Sequence, residues 1–103
     1  MAYKLEISPH AEAQLDNILG YIAVTLCNPD AAGAVAKDLQ ETYKLLEESA
    51  ESFAYCADLY LSSKGYRKVK LRRHDYLILY RVVGAVVQIS GIFHELEDYA
   101  AKL

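Results

Sequence analysis

The chain has 103 residues, of which 53% are hydrophobic and 24% are charged, and its formal net charge is −3. This length predicts one domain, residues 1–103, and the apolar content excludes a disordered chain. No apolar run approaches the roughly 20 residues that a bilayer crossing needs, and the N-terminus lacks a signal-peptide pattern, so we expect a cytoplasmic protein without membrane partners.

The first half of the chain predicts one strand followed by two helices. Tyr3 to Ile7 alternates apolar and polar residues, which is typical of a half-buried strand. Ser8-Pro9 and Asn28-Pro29 each combine a capping side chain with proline at the first helical position. The apolar positions that follow recur at spacings of three and four residues, which predicts a helical hairpin. They are Ala11, Leu15, Ile18, Leu19, Ile22 and Leu26 in the first helix, and Ala32, Val35, Ala36, Leu39, Tyr43 and Leu46 in the second.

The second half predicts a small sheet. Residues 49–63 have no clear period and indicate a connection with some local helix, whereas the period changes to two from Gly65 onward. Residues 76–82 are uniformly apolar, as in a central strand, and Gly84 predicts a hairpin to a last strand over residues 85–93. The expected fold is α+β in the order β-α-α-β-β-β, with the helical hairpin packed on a small, mostly antiparallel sheet.

Residues 64–81 form a basic segment in an otherwise acidic chain. They hold seven of the eleven Lys and Arg residues against one acid, a net charge of +6. Alternation along a strand places Lys68, Lys70 and Arg72 on one face, with Val69 and Leu71 on the other. This pattern predicts a cationic ridge for an anion or an acidic partner. A solvated strand face is the alternative interpretation.

The cysteines and histidines give fewer indications of function. Cys27 and Cys56 belong to no Cys/His cluster, so we expect two reduced, packed thiols and no metal or other cofactor. His94 is a candidate general acid or base at the end of the last strand, and a structural role is the alternative. His10, at a helix start, and His74, in a turn, receive no role.

The order and sequence of these elements resemble the RelE/ParE superfamily of type II toxin-antitoxin toxins over nearly the whole chain. SPHAEAQLDNILGYIA is similar to the first helix of the family, NPDAAGAVAKDLQETYKLL to the second, and GYRKVKLRRHDYLILYRVVGAVVQISGIFHELEDY to the three-strand ending. The resemblance implies a toxin of the kind found in plasmid stabilization modules. It also implies a cognate antitoxin that wraps the toxin with an acidic, amphipathic segment.

The RelE branch of the superfamily implies a metal-independent, ribosome-dependent endoribonuclease, or mRNA interferase. Its Lys-x-Lys-Leu-Arg strand is matched by residues 68–72, which implies that Lys68, Lys70 and Arg72 hold the phosphate whose charge grows during cleavage. The same resemblance implies that His94 and Tyr99 assist proton transfer or base stacking. All five are therefore candidate catalytic residues.

Two features differ from the RelE pattern. Leu77 occupies the position of an arginine, and Glu95, Glu97 and Asp98 stand where many relatives have a basic run. Carboxylates near a phosphate site repel RNA, and each missing cation costs on the order of 10²-fold in rate, so we expect poor cleavage. The alternatives are a ParE-like poison of DNA gyrase without nuclease activity, and a non-toxic co-repressor that only binds the antitoxin.

Overall fold

A computed structural model describes residues 2–96 and shows two long helices packed on one face of a mixed four-stranded sheet. The strands are β1 (Lys4–Ile7), β2 (Arg67–Lys70), β3 (Tyr76–Val83) and β4 (Val86–His94), and the helices are α1 (Pro9–Gly20), α2 (Pro29–Ser49) and α3 (Leu59–Ser63). The predicted α+β order is confirmed, and α3 is the local helix of the predicted connection. Within residues 2–96, none of the helices has the length and apolarity needed to cross a bilayer.

Both long helices begin where their capping signals predict. The Ser8 hydroxyl accepts a hydrogen bond from the Ala11 amide at 3.0 Å, and the Asn28 side-chain oxygen accepts one from the Ala31 amide at 3.1 Å. In both cases a side chain satisfies an amide that has no partner inside the helix. The predicted helix starts are therefore confirmed.

The end of the first helix departs from the predicted periodicity. α1 continues into a π-helical turn, Tyr21–Thr25, in which the Leu26 amide donates to the Tyr21 carbonyl oxygen at 2.9 Å. This wider turn rotates the following positions away from the apolar stripe. Leu26 is 55% exposed, so the prediction that it joins the stripe was wrong. Cys27 is also exposed, and of the two free thiols only Cys56 is packed as expected.

The strands are ordered β1-β4-β3-β2. β1 runs parallel to β4, and the other two pairs are antiparallel, which confirms a mostly antiparallel sheet. β3 lies in the interior of the sheet, as its apolar sequence predicts. The hairpin between β3 and β4 turns at Gly84, whose φ of 61° is readily adopted only by glycine.

The two faces of the sheet carry cores of different size. We call the face covered by α1 and α2 the helix face. It holds the larger cluster, which comprises Ala11, Leu39, Leu46, Ala50, Val69, Leu71, Ile78, Tyr80, Val87, Ile89 and Ile92. We call the other the open face. It holds a smaller cluster of Cys56, Leu61, Leu77, Leu79 and Phe93, with Tyr66 packed at its edge.

Candidate functional site

Strand β2 presents two lysines on the open face. Lys68 is paired with Leu79 and Lys70 with Leu77, and both leucines belong to the smaller cluster. Because successive strand residues point to opposite faces, the intervening Val69 enters the larger core instead. The structure therefore brings Lys68 and Lys70 together on one face, as alternation predicts.

A cavity of about 500 Å³ lies beside the two lysines, and we call it the lysine cavity. The described residues that line it are Lys68, Lys70, Leu77, Glu95 and Leu96. Leu77 gives the cavity an apolar wall where the RelE pattern would place a cation. Leu96 is 86% exposed, so the mouth of the cavity is also apolar.

Two carboxylates approach the Lys70 ammonium group. Asp75 Oδ1 lies 3.4 Å and Glu95 Oε2 lies 3.8 Å from Lys70 Nζ. Half or more of the Lys70 and Asp75 side chains is exposed, so each ion pair contributes only about 0–1 kcal/mol to stability. Their larger effect is on local charge, because together they offset the charge of Lys70.

Arg72 does not extend the pair of lysines. β2 ends at Lys70, and Arg72 is absent from the described lining of the lysine cavity. Asp38 on α2 binds the backbone that follows, since its side-chain oxygens accept hydrogen bonds from the Arg72 amide at 3.3 Å and the Arg73 amide at 2.9 Å. Because Arg72 lies beyond the end of the strand, the prediction of a three-residue ridge along β2 was wrong.

Asp38 also accounts for His74, to which the sequence assigned no role. His74 Nδ1 lies 2.8 Å from Asp38 Oδ2, and the Asp38 side chain is fully inaccessible to solvent. Burial by itself raises the pKa of Asp38, but the hydrogen bonds from His74 and the two loop amides outweigh it and lower the pKa below its usual value. We call Asp38, His74 and the amides of Arg72 and Arg73 the loop clamp.

His94 lies on the other side of the sheet from the lysines. It is paired with Tyr76, and their rings meet edge to face with centroids 5.4 Å apart. Tyr76 packs against the larger core, whereas Phe93 belongs to the smaller one. His94 Nδ1 also accepts a hydrogen bond from the Leu96 amide at 3.2 Å. The structure thus does not bring His94 to the lysine cavity.

The other bases of the basic segment are dispersed among local contacts. Arg67 donates to the Phe53 carbonyl oxygen at 2.6 Å and lies over the Tyr55 ring at 4.0 Å. Arg81 lies over the Tyr66 ring at 4.9 Å. The net charge of +6 in the sequence is therefore spread over several surfaces. Tyr99, Glu97 and Asp98 lie outside the described residues.

Sequence reasoning missed the partners that define this site. It placed the Glu95 carboxylate near the phosphate site but did not identify Lys70 as its partner, and it assigned no role to Asp38 or Asp75. A signal for Asp38 was present, since it lies next to the apolar stripe of α2 at a position that helical geometry buries. Within residues 2–96, no group of three His, Cys, Asp or Glu side chains is arranged to hold a metal ion.

The chain is similar to known proteins in sequence and in structure. The family model described as the ParE toxin of type II toxin-antitoxin system, parDE, matches residues 5–99. A solved structure described as the chromosomal ParDE TA system from P. aeruginosa is similar, with a TM-score of 0.74 and 28% identity over 90% of this chain and 96% of that chain. The isolated E. coli RelE toxin is similar in fold, with a TM-score of 0.54 and 19% identity over 98% of this chain and 94% of that chain. No curated protein sequence matches.

Proposed function

This chain belongs to the ParE toxin family of type II toxin-antitoxin systems, and we propose that it inhibits growth until a cognate antitoxin neutralises it. The family match also confirms the resemblance to the RelE/ParE superfamily. The cellular target is DNA gyrase, poisoned through a protein contact, and the chain does not cut RNA. The observation that carries this choice is the lysine cavity, because two carboxylates offset the charge of Lys70 and one of its walls is Leu77.

The geometry of the candidate catalytic residues supports the same choice. Phosphoryl chemistry on RNA needs fixed cations around the phosphate and a proton donor or acceptor within hydrogen-bond reach. Here Lys68 and Lys70 face the cavity, Arg72 lies beyond the strand, and His94 occupies the opposite face. A surface with paired charges and apolar walls suits contact with a folded protein better than it suits a phosphate backbone.

Inducible expression of the chain alone tests this function. We expect growth arrest with an SOS response and trapped gyrase complexes, and we expect the purified chain to inhibit supercoiling by gyrase. Arrest without any effect on gyrase would reject the gyrase target. No arrest at all would leave only the co-repressor alternative.

Ribosome-dependent mRNA cleavage is the second candidate, and the shared face of Lys68 and Lys70 is the observation in its favour. Primer extension on translated mRNA would then show cuts associated with codons. A Lys68→Ala/Lys70→Ala variant separates the two functions, because a phosphate-holding role requires these ammonium groups. Lys37→Ala/Lys44→Ala, on the exposed side of α2, is the matched control. If only the first variant lost toxicity and the cuts together, cleavage would replace gyrase poisoning as the function.

The antitoxin partner follows from the same family membership. Its acidic, amphipathic segment has exposed apolar and basic groups to contact on this chain, such as Leu59, which is 87% exposed, and Tyr60, which is 67% exposed. Lys64 lies over the Tyr60 ring at 5.7 Å and adds a positive charge there. Co-expression with a cognate antitoxin should restore growth and yield a stable complex.

A further inference from the structure

We propose that Asp75 and Glu95 are specificity-determining residues of the lysine cavity, where they offset the charge of Lys70 so that the cavity rejects the phosphate backbone of single-stranded RNA. This inference deepens the proposed function and rests on it, because the proposed function is what makes the cavity a functional site. It explains how a chain that retains two lysines on a RelE-like strand is kept from acting on RNA. Its test requires only the purified chain.

The charges around the cavity support this role. Among the described residues, Lys68 and Lys70 supply two positive charges here, and Asp75 and Glu95 supply two negative ones. Lys70 lies between the carboxylates, at 3.4 Å from Asp75 Oδ1 and 3.8 Å from Glu95 Oε2. A phosphate that approaches Lys70 is therefore repelled by the two carboxylates, which carry the same negative charge and already lie next to the Lys70 ammonium group.

The backbone holds both carboxylates in place. The Glu95 amide donates to the Asp75 carbonyl oxygen at 2.8 Å, which ties the residue that follows β4 to the residue that precedes β3. The loop that carries Asp75 is held on its other side by the loop clamp, through the buried Asp38 carboxylate and His74. The two acids thus reach Lys70 from anchored backbone positions, and not from free ends of the chain.

Stability does not account for this arrangement. Ion pairs between exposed side chains contribute little to folding, and the Asp75 side chain is 63% exposed. Charge at a binding surface, by contrast, controls affinity for nucleic acid, because each phosphate neutralised by a cation releases counterions. Two carboxylates beside two lysines therefore change what the cavity binds far more than they change how firmly the chain folds.

The test is an Asp75→Asn/Glu95→Gln variant, titrated with a short, labelled single-stranded RNA at low salt. The matched control is Asp16→Asn/Glu48→Gln, which removes the same two charges from exposed helical positions far from the cavity in sequence. We expect the cavity variant to bind RNA about tenfold or more tighter than the control. We also expect the slope of log K against log salt concentration to be steeper for the cavity variant, by about 0.7 per added phosphate contact.

A third variant identifies the group responsible. Adding Lys70→Gln to the cavity variant should return RNA affinity to the level of the control, because the released ammonium group is then absent. Equal RNA affinity of the cavity variant and the control would overturn the proposal, and so would a gain that survives Lys70→Gln. Thermal unfolding of all variants checks that they fold. Since growth arrest is not measured, failure here is distinct from failure of the toxin assignment.

Discussion

Asp38 and Asp75 are both aspartates beside the loop that joins β2 to β3, yet their surroundings differ completely. The Asp38 side chain is inaccessible to solvent and accepts hydrogen bonds from two loop amides and from His74. The Asp75 side chain is 63% exposed and has the flexible ammonium group of Lys70 as its ionic partner. The same functional group therefore fixes the fold on the helix side and adjusts surface charge on the open side.

The two faces of the sheet differ in the same way. The helix face buries a continuous core around Tyr80, whose hydroxyl donates to the Ala50 carbonyl oxygen at 2.7 Å. The open face buries a small cluster and leaves β2 lysines beside a cavity. The comparison indicates that the helix face carries most of the stability, while the open face is available for recognition.

A matched pair of leucine truncations tests whether the helix face carries most of the stability. Of the predicted changes in stability, these are the largest. Leu46 is 0% exposed in the larger core, and Leu61 is 1% exposed in the smaller cluster. We expect Leu46→Ala to lower the free energy of unfolding by about 3–5 kcal/mol and Leu61→Ala by about 2–3 kcal/mol, because the thin layer around Leu61 can collapse into the space left behind. Denaturant unfolding measures both. Equal losses would show that the two faces share the stability evenly.

The two aspartates can be compared by the same substitution. Asp38→Asn should lower the free energy of unfolding by about 2–3 kcal/mol, since in either orientation its new amide nitrogen, a donor, faces the Arg72 or the Arg73 amide. Asp75→Asn should change it by less than about 0.5 kcal/mol. Denaturant unfolding of the two variants measures the difference between these losses. A large loss in Asp75→Asn would mean that its ion pair with Lys70 supports the fold after all.

Gly91 offers a test at the smaller cluster. A Cβ atom at this position would lie 2.9 Å from Phe93 Cζ and 3.3 Å from Gln14 Oε1, which accepts a hydrogen bond from the Ile92 amide. We expect Gly91→Ala to cost about 1–3 kcal/mol, because the Phe93 ring is fully buried and must move. Gly33→Ala is the control, since among the described residues no atom beyond its chain neighbours and its own helix backbone lies within 4 Å of its Cβ position in α2. That variant should gain up to about 1 kcal/mol, measured as a rise in Tm.

The pH dependence of stability gives the smallest effect. The folded-state pKa of Asp38 lies below the ordinary value of 3.8, so the unfolded chain binds the proton more readily. The stabilisation from Asp38 is therefore complete above pH 3.8 and is lost as the pH falls further, through the folded-state pKa. The difference in stability between the wild type and Asp38→Asn should thus shrink as the pH falls below 3.8. A difference that grew in acid would contradict the lowered pKa.

Much of the fold follows from short-range signals in the sequence. Ser8-Pro9 and Asn28-Pro29 mark the helix starts because a capping side chain and a proline act within one turn. Alternation in β2 places Val69 in the core and Lys68 on the open face because the pleat of a strand has a period of two. The prediction that Leu26 joins the apolar stripe failed because a single π-helical turn changes the helical period on which it depended.

The site itself was decided by tertiary contacts. Asp38 meets the Arg73 amide across 35 residues of sequence, and β2 ends at Lys70, before Arg72. Glu95 reaches Lys70, and His94 turns away from it, only because β4 lies next to β3 in a particular register. By itself, the sequence determined which segments are helix and strand and which residues are charged. Which charges meet was settled by the packing of distant segments, because such contacts depend on register and burial that no local pattern encodes.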